Sequence, residues 1–302
     1  MALRRYLYYP GCSLRGTGVA YDESLRECFR QLGLELVELE DWNCCGATSY
    51  MAIDEGAACV LSARVLALAQ QQAPGVDLVA PCSACYLVLR KTEDYISRYP
   101  EIRSRVEASL RKAGLPVQIG VQVRHPLEVL WEDVGPEAIR KRVQRHWRGG
   151  RVACYYGCQA VRPYGEVDRP IRPTRLDELM EAVNVPVVDY SLRTRCCGGS
   201  LTGTIHEVGL RLNYILLKEA VRRGAEAIVT MCPLCQFNLD VFQNEMERQT
   251  GEPFDLPVLY FTQVLGWCLG AELEKLGLRH LIAGRDLVER WFVKERPVEA
   301  YV

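Results

Sequence analysis

Two ordered copies of one cysteine pattern constrain this chain more than any other feature. In the first half, Tyr8–Ser13 reads YYPGCS, Cys44–Gly46 reads CCG and Cys82–Cys85 reads CSAC. The second half answers with YYGCQ at Tyr155–Gln159, CCG at Cys196–Gly198 and CPLC at Cys232–Cys235. The intervals agree: 31 residues separate Cys12 from Cys44 and 37 separate Cys158 from Cys196, while 36 separate Cys45 from Cys82 and 34 separate Cys197 from Cys232. A lone cysteine, an adjacent pair and a CxxC pair recurring in this order make the chain a duplication. Each copy then has five thiols on three separate segments.

The stretches between the cysteines repeat as well. Leu25, Cys28, Phe29 and Leu32 fall at helical spacing with Gly33 as a stop, and Leu176, Leu179, Met180 and Val183 do the same with Asn184 as a stop. Thr174 and Asp177 have the spacing of a capping box. Short apolar segments, Leu34–Leu39 and Val185–Val188, lead towards each CCG. Helices are predicted over Glu55–Gln72 and Glu207–Arg223, followed by strands Val76–Ala80 and Ala227–Thr230 that end at CxxC. Last strands over Val117–Val123 and Leu256–Phe261 precede similar tails, His125–Leu130 and Tyr260–Leu265. Alternation of strands and helices predicts an α/β fold: two repeated domains, each a small, mostly parallel sheet flanked by helices. Loops at the carboxyl ends of parallel strands converge on one sheet edge, so the cysteine motifs are expected there, with the two sites facing one another between the halves. The domains are read as 1–135 and 151–302. The linker, 136–150, and Arg151 beside it carry a basic run read as a solvated helix face.

A chain of 302 residues that is 49% hydrophobic can bury a core in each half. A net charge of −1 argues against nucleic acid as a partner. No export signal and no run of the roughly 20 apolar residues that span a bilayer is apparent, so a cytoplasmic setting without a membrane span is expected. Fourteen cysteines, some adjacent, then read as ligands rather than as a disulfide framework. CxxC with CC makes a four-sulfur zinc site, but that leaves Cys12 and Cys158 over in their respective halves. The fifth thiol favours an iron–sulfur cluster.

The spacing C-x31-CCG-x36-CxxC, followed by C-x37-CCG-x34-CxxC, resembles the CCG-domain family, in particular the catalytic B subunit of heterodisulfide reductase. The resemblance covers nearly the whole chain. It implies that Cys12, Cys44, Cys45, Cys82 and Cys85 hold one noncubane [4Fe-4S] cluster, and that Cys158, Cys196, Cys197, Cys232 and Cys235 hold a second. It further implies catalysis on a disulfide or a sulfur-carrier substrate, in either direction. Its implied partners are a ferredoxin-like C subunit and a flavin-containing A subunit. A non-catalytic electron-transfer or assembly role in a dehydrogenase complex is the alternative. One departure stands out: methanogen members carry histidines around the first cysteine of the second half, where this chain has Tyr155 and Gln159. This departs from the methanogenic coenzyme disulfide as substrate.

The remaining cysteines take plainer readings. Cys28, Cys59 and Cys268 lie in apolar segments and are expected in the core. Cys154, four residues before Cys158, competes for the ligand position, but the alignment of YYPGC with YYGC favours Cys158. His125 is kept as a weak proton-donor candidate, and His206 is expected at the surface or in a structural role.

Overall fold

The computed structural model describes residues 4–47, 49–117 and 120–292. In the first half, β1 (Arg4–Tyr8), β2 (Leu34–Glu38), β3 (Leu78–Val79) and β4 (Val123–Arg124) form a four-stranded sheet in the order β2-β1-β3-β4. All neighbours are parallel, in register from Arg4 against Leu34, Leu7 against Leu78 and Leu78 against Val123. In the second half β5 (Val152–Tyr155), β6 (Ala227–Thr230) and β7 (Val258–Tyr260) pair in parallel in the order β5-β6-β7. The counterpart of β2 shrinks to one parallel bridge, Val152 to Val187. The apolar segment Val185–Val188 therefore joins the sheet through one bridge alone. Pro186 lacks an N–H to give to a ladder, and its carbonyl instead accepts from Val152 N at 2.9 Å.

Helices fall where the apolar spacing puts them. Val19–Gln31 precedes Gly33, whose φ of +74° ends the turn. Glu55–Gln72 matches its predicted span, with Asp54 accepting from Ala57 N at 2.9 Å as N-cap. Arg175–Ala182 and His206–Arg222 are their second-half counterparts. The capping box at Thr174 does not form. Thr174 makes no side-chain cap bond, and Asp168 takes the N–H groups of Thr174 and Arg175 at 2.7 and 2.6 Å. Asp177 is occupied elsewhere, by the Tyr156 hydroxyl at 2.6 Å and Arg193 at 2.9 Å. The last strand of the first half is shorter than Val117–Val123; residues 118 and 119 lie outside the described residues.

The halves interlock. The Val19–Gln31 helix packs against the Phe261–Cys268 helix of the second half. Tyr21 stacks on Tyr260 with ring centroids 4.5 Å apart and planes 7° from parallel, and Ser24 Oγ meets Thr262 Oγ1 at 2.7 Å. One hydrophobic core accordingly runs through both halves, from Tyr6 and Phe29 to Leu259 and Val264. The basic run between the halves is not a solvated helix. Its helix stops at Arg140; Arg145 then lies over the Trp267 ring at 4.4 Å and donates to Ala271 O at 2.6 Å, and Arg142 donates to Leu32 O of the first half. These arginines strap the halves together. Among the described residues no helix is long and apolar enough to cross a membrane.

Candidate functional site

Each cysteine motif lies beyond the carboxyl end of the sheet, and the two halves build theirs alike. Cys12 sits in the short helical turn Gly11–Leu14 that follows β1. Cys82 follows β3 as the N-cap of the Ser83–Arg98 helix, and Cys232 follows β6 as the N-cap of the Pro233–Val241 helix. Both sulfurs of each CxxC thus stand in the first turn of a helix, where unpaired N–H groups and the positive end of the helix dipole favour thiolate. Exposure follows the repeat: Cys44 and Cys196 are exposed, Cys12 exposed and Cys158 half-buried, while Cys45, Cys82, Cys85, Cys197, Cys232 and Cys235 are buried.

Matching contacts around the thiols shape both sites. Tyr9 donates its hydroxyl to the carbonyl of Asn43 at 2.8 Å, and Tyr155 donates to the carbonyl of Arg195 at 2.7 Å. In each half a tyrosine at the end of the first strand therefore pins the residue immediately before the CC pair. Gly11 and Gly157 have φ of +65° and +69°, and a Cβ on them would come within 3.2 Å of the Cys85 sulfur and 3.0 Å of the Cys235 sulfur. Glycine supplies both the turn and the clearance. Gly46 N donates to Cys44 Sγ at 3.5 Å and Gly198 N to Cys196 Sγ at 3.3 Å. The second half adds Asn238, whose amide reaches Cys197 Sγ at 3.6 Å and Gly199 O at 2.9 Å.

The sulfurs meet in pairs. Cys45 and Cys85 are 3.1 Å apart, and Cys197 and Cys235 are 3.5 Å apart. Cys44 and Cys45 shift one another's proton affinity, as do Cys158 and Cys196. All five second-half cysteines line one cavity of about 270 Å³ together with Tyr156, Leu234 and, from the first half, Ser83. In the first half Cys12 acts electrostatically on Cys44 and on the Tyr9 hydroxyl. The two CxxC motifs come together across the halves: Ser83, next to Cys82, lines the cavity of Cys232 and Cys235, and Cys82 and Cys232 shift one another's proton affinity. Among the described residues no group of three or more histidine, cysteine, aspartate or glutamate side chains is arranged to hold one metal ion.

Pairing divides the protons unequally. Cys45 is held well below the ordinary thiol range by its bonds with Cys44 and Cys85, and Cys85 is pushed up by Cys45 in return. Cys44 rises through its bond with Cys45. In the second half Cys196 falls to about 6 through its bond with Cys158, which rises. Cys197 falls through Cys235, which rises. Cys232 falls through Cys235 and Cys82, and Cys82 rises through Cys232. Several thiols are thus already biased towards thiolate, the form that ligates metal.

The other cysteines stay apart. Cys154 lies inside β5, is buried, and has its proton affinity raised by burial, with Asp177 and not a thiol as its next influence. Cys28, Cys59 and Cys268 are buried in apolar surroundings. His125 is fully buried. Its Nδ1 accepts from Leu127 N at 3.2 Å and its Nε2 faces Pro81 O at 3.2 Å. Both nitrogens are engaged with backbone and burial lowers its pKa to about 4, so it caps the Pro126–Val129 helix instead of delivering protons. Tyr260 stands at the same place before the Phe261–Cys268 helix, and its N–H donates to Gln263 Oε1 at 2.8 Å as that of His125 does to Glu128 Oε2 at 3.3 Å. His206 bonds Thr202 O and Glu245.

The profile of the cysteine-rich CCG domain matches residues 6–90 and 152–240, one copy on each half. This chain belongs to the CCG domain family. Among proteins similar to this CCG chain is the 8-methylmenaquinol:fumarate reductase membrane anchor subunit of Wolinella succinogenes, 29% identical over 92% of this chain and 96% of the relative. A protein of Archaeoglobus profundus that is named as like the B subunit of heterodisulfide reductase is 31% identical over 90% of this chain and 93% of the relative. The B subunit of the ferredoxin/F(420)H(2)-dependent CoB-CoM heterodisulfide reductase of Methanosarcina acetivorans is 27% identical over 89% and 91%. The solved structure of a hypothetical protein from Helicobacter pylori superimposes with a TM-score of 0.73 at 14% identity, over 93% of this chain and 52% of that one, which shows a shared fold.

Sequence reasoning assigned no role to Tyr9, Tyr155, Asn238 or Ser83. The tyrosines were visible as shared letters of the repeated YYPGC and YYGC motifs. Asn238 and Ser83 carry no such signal, because their roles depend on which loop lies opposite.

Proposed function

We propose that this chain is the iron–sulfur redox subunit of a heterodisulfide-reductase-like complex and acts on a disulfide, or in reverse on thiols or bound sulfur. In this reading Cys12, Cys44, Cys45, Cys82 and Cys85 hold one noncubane [4Fe-4S] cluster, and Cys158, Cys196, Cys197, Cys232 and Cys235 hold another. The donor set suits such a group: thiols only, five to a site, several biased towards thiolate, with CxxC pairs at helix N-termini that offset a cluster's negative charge. When bound, the clusters supply one-electron chemistry at sulfur, and reduction of a disulfide consumes two electrons and two protons to give two thiols.

The observation that carries the reading is the closeness of the two CxxC segments, with Ser83, next to Cys82, lining the cavity of Cys232 and Cys235. With the two sets of thiols side by side, the two halves of one disulfide can be served together. The chain's own residues hold the thiols, exclude water from the inner ones and leave Cys44 and Cys196 at the surface. With both nitrogens of His125 engaged by backbone, protons reach the outer thiols from solvent. Relatives named as subunits of reductases support partner subunits, proposed to be a ferredoxin-like C subunit and a flavin-containing A subunit.

A second reading, electron transfer without disulfide chemistry, is favoured by the similarity to a fumarate reductase subunit. Anaerobically purified protein separates the two. Addition of a thiol or disulfide that changes the electron paramagnetic resonance of both clusters supports the disulfide reading. An unchanged spectrum, with electron transfer intact, supports the second.

A further inference from the structure

The second residue of each CxxC motif reaches across to the other half, and the two differ in chemistry. Pro233, in the second half's CPLC, packs over Gly18, where a Cβ would lie 2.8 Å from its own Cβ. Gly18 closes the turn that follows Cys12. Ser83, in the first half's CSAC, crosses the other way and lines the second half's cavity beside Cys232 and Cys235. The residue is 2% exposed, and its hydroxyl is buried with no hydrogen-bond partner of regular geometry.

A buried hydroxyl left without a partner forfeits its hydration and gains nothing in return. Here it lines a cavity walled by five thiols, where sulfur is the acceptor at hand. Pro233, in the matching position, has neither a hydroxyl nor an N–H and gives nothing of the kind to the first half. Resting on the cluster reading above, we propose that Ser83 is a positioning residue supplied by the first half to the metal centre of the second. Its O–H donates to a ligand sulfur of that cavity and makes the two centres unequal. A donor on a ligand sulfur draws off negative charge, favours the reduced cluster and raises its reduction potential. The second-half centre is therefore easier to reduce than it would be without the serine.

The test is a redox titration, followed by electron paramagnetic resonance, of anaerobically purified full-length protein. Wild type is compared with Ser83→Ala, Ser83→Thr and Ser83→Val, with iron and sulfide measured on each. Ser83→Ala and Ser83→Val should lower the midpoint of one signal, the one that Cys197→Ala abolishes, and leave the other in place. Ser83→Thr, of the same shape as valine but with a hydroxyl, should keep the wild-type value. Iron-loaded variants whose midpoints do not move, or in which Val and Thr behave alike, overturn the assignment of Ser83. Wild-type protein free of iron and sulfide overturns the cluster reading itself, and this proposal with it.

Discussion

Cys82 of the first half and Cys232 of the second are neighbours that shift one another's proton affinity, although 149 residues lie between them in the sequence. Each follows a strand at the equivalent place in its repeat and opens a helix. The duplication thus folds back on itself so that equivalent cysteines come together, and the functional unit is the pair of halves. The interlocked helices Val19–Gln31 and Phe261–Cys268 hold that arrangement.

Tyr21 is the aromatic centre of this interface. Replacing it with alanine removes a fully buried ring stacked on Tyr260. The expected loss is about 3–5 kcal/mol, as for other large-to-small changes of buried aromatics. Denaturant unfolding of wild type and Tyr21→Ala measures it, and a loss below about 1 kcal/mol would show that the halves are held by other contacts.

Tyr155 pins the loop before Cys196 through its 2.7 Å bond to Arg195 O. Tyr155→Phe keeps the ring and removes that bond, at a cost of about 1 kcal/mol. The same holds for Tyr9→Phe and the carbonyl of Asn43. Both variants should fold, with a lowered unfolding midpoint and faster loss of iron to a chelator. Chelator kinetics identical to wild type would remove the tyrosines from any role in the site.

His125 sets a pH dependence. It is buried and its pKa is lowered from 6.5 to about 4, mainly by desolvation. The folded state therefore favours the neutral ring, and the unfolded chain binds the extra proton first. Its contribution is fully present above pH 6.5, declines as pH falls below that value, and is lost towards pH 4. His125→Asn keeps a capping side chain and removes the titration. The stability difference between wild type and this variant should shrink as pH falls from 6.5 to 4; a constant difference across that range contradicts the burial argument.

On the proposed function, the electrons are delivered from outside the chain. The sequence shows no G-x-G-x-x-G between a strand and a helix. The isolated protein should reduce a disulfide with an artificial one-electron donor or with the proposed ferredoxin-like subunit, and not with a nicotinamide cofactor alone. Turnover with the nicotinamide cofactor as the single reductant points to a second cofactor site and contradicts this division of labour.

The duplication, the parallel α/β halves and the helix at Glu55–Gln72 are legible in the sequence, because cysteine spacing and apolar periodicity are local signals. What the sequence hides is choice among partners. Thr174 and Asp177 have capping-box spacing, yet Asp177 serves Tyr156 and Arg193, and Asp168 caps the helix from outside. Arg142 and Arg145 read as solvated charge, yet they bind carbonyls on opposite halves. The crossing of Ser83 depends on contacts between segments more than a hundred residues apart, where no spacing rule applies.

The central claim is that two five-cysteine sites each hold a four-iron cluster, with Cys158 and not Cys154 as a ligand. Iron and acid-labile sulfide per chain, measured on anaerobically purified wild type, Cys158→Ala and Cys154→Ala, test it most directly. The account predicts about eight irons with matching sulfide in wild type and in Cys154→Ala, and about half that in Cys158→Ala. Colourless protein carrying zinc and no sulfide, or iron lost from Cys154→Ala and retained in Cys158→Ala, would contradict it.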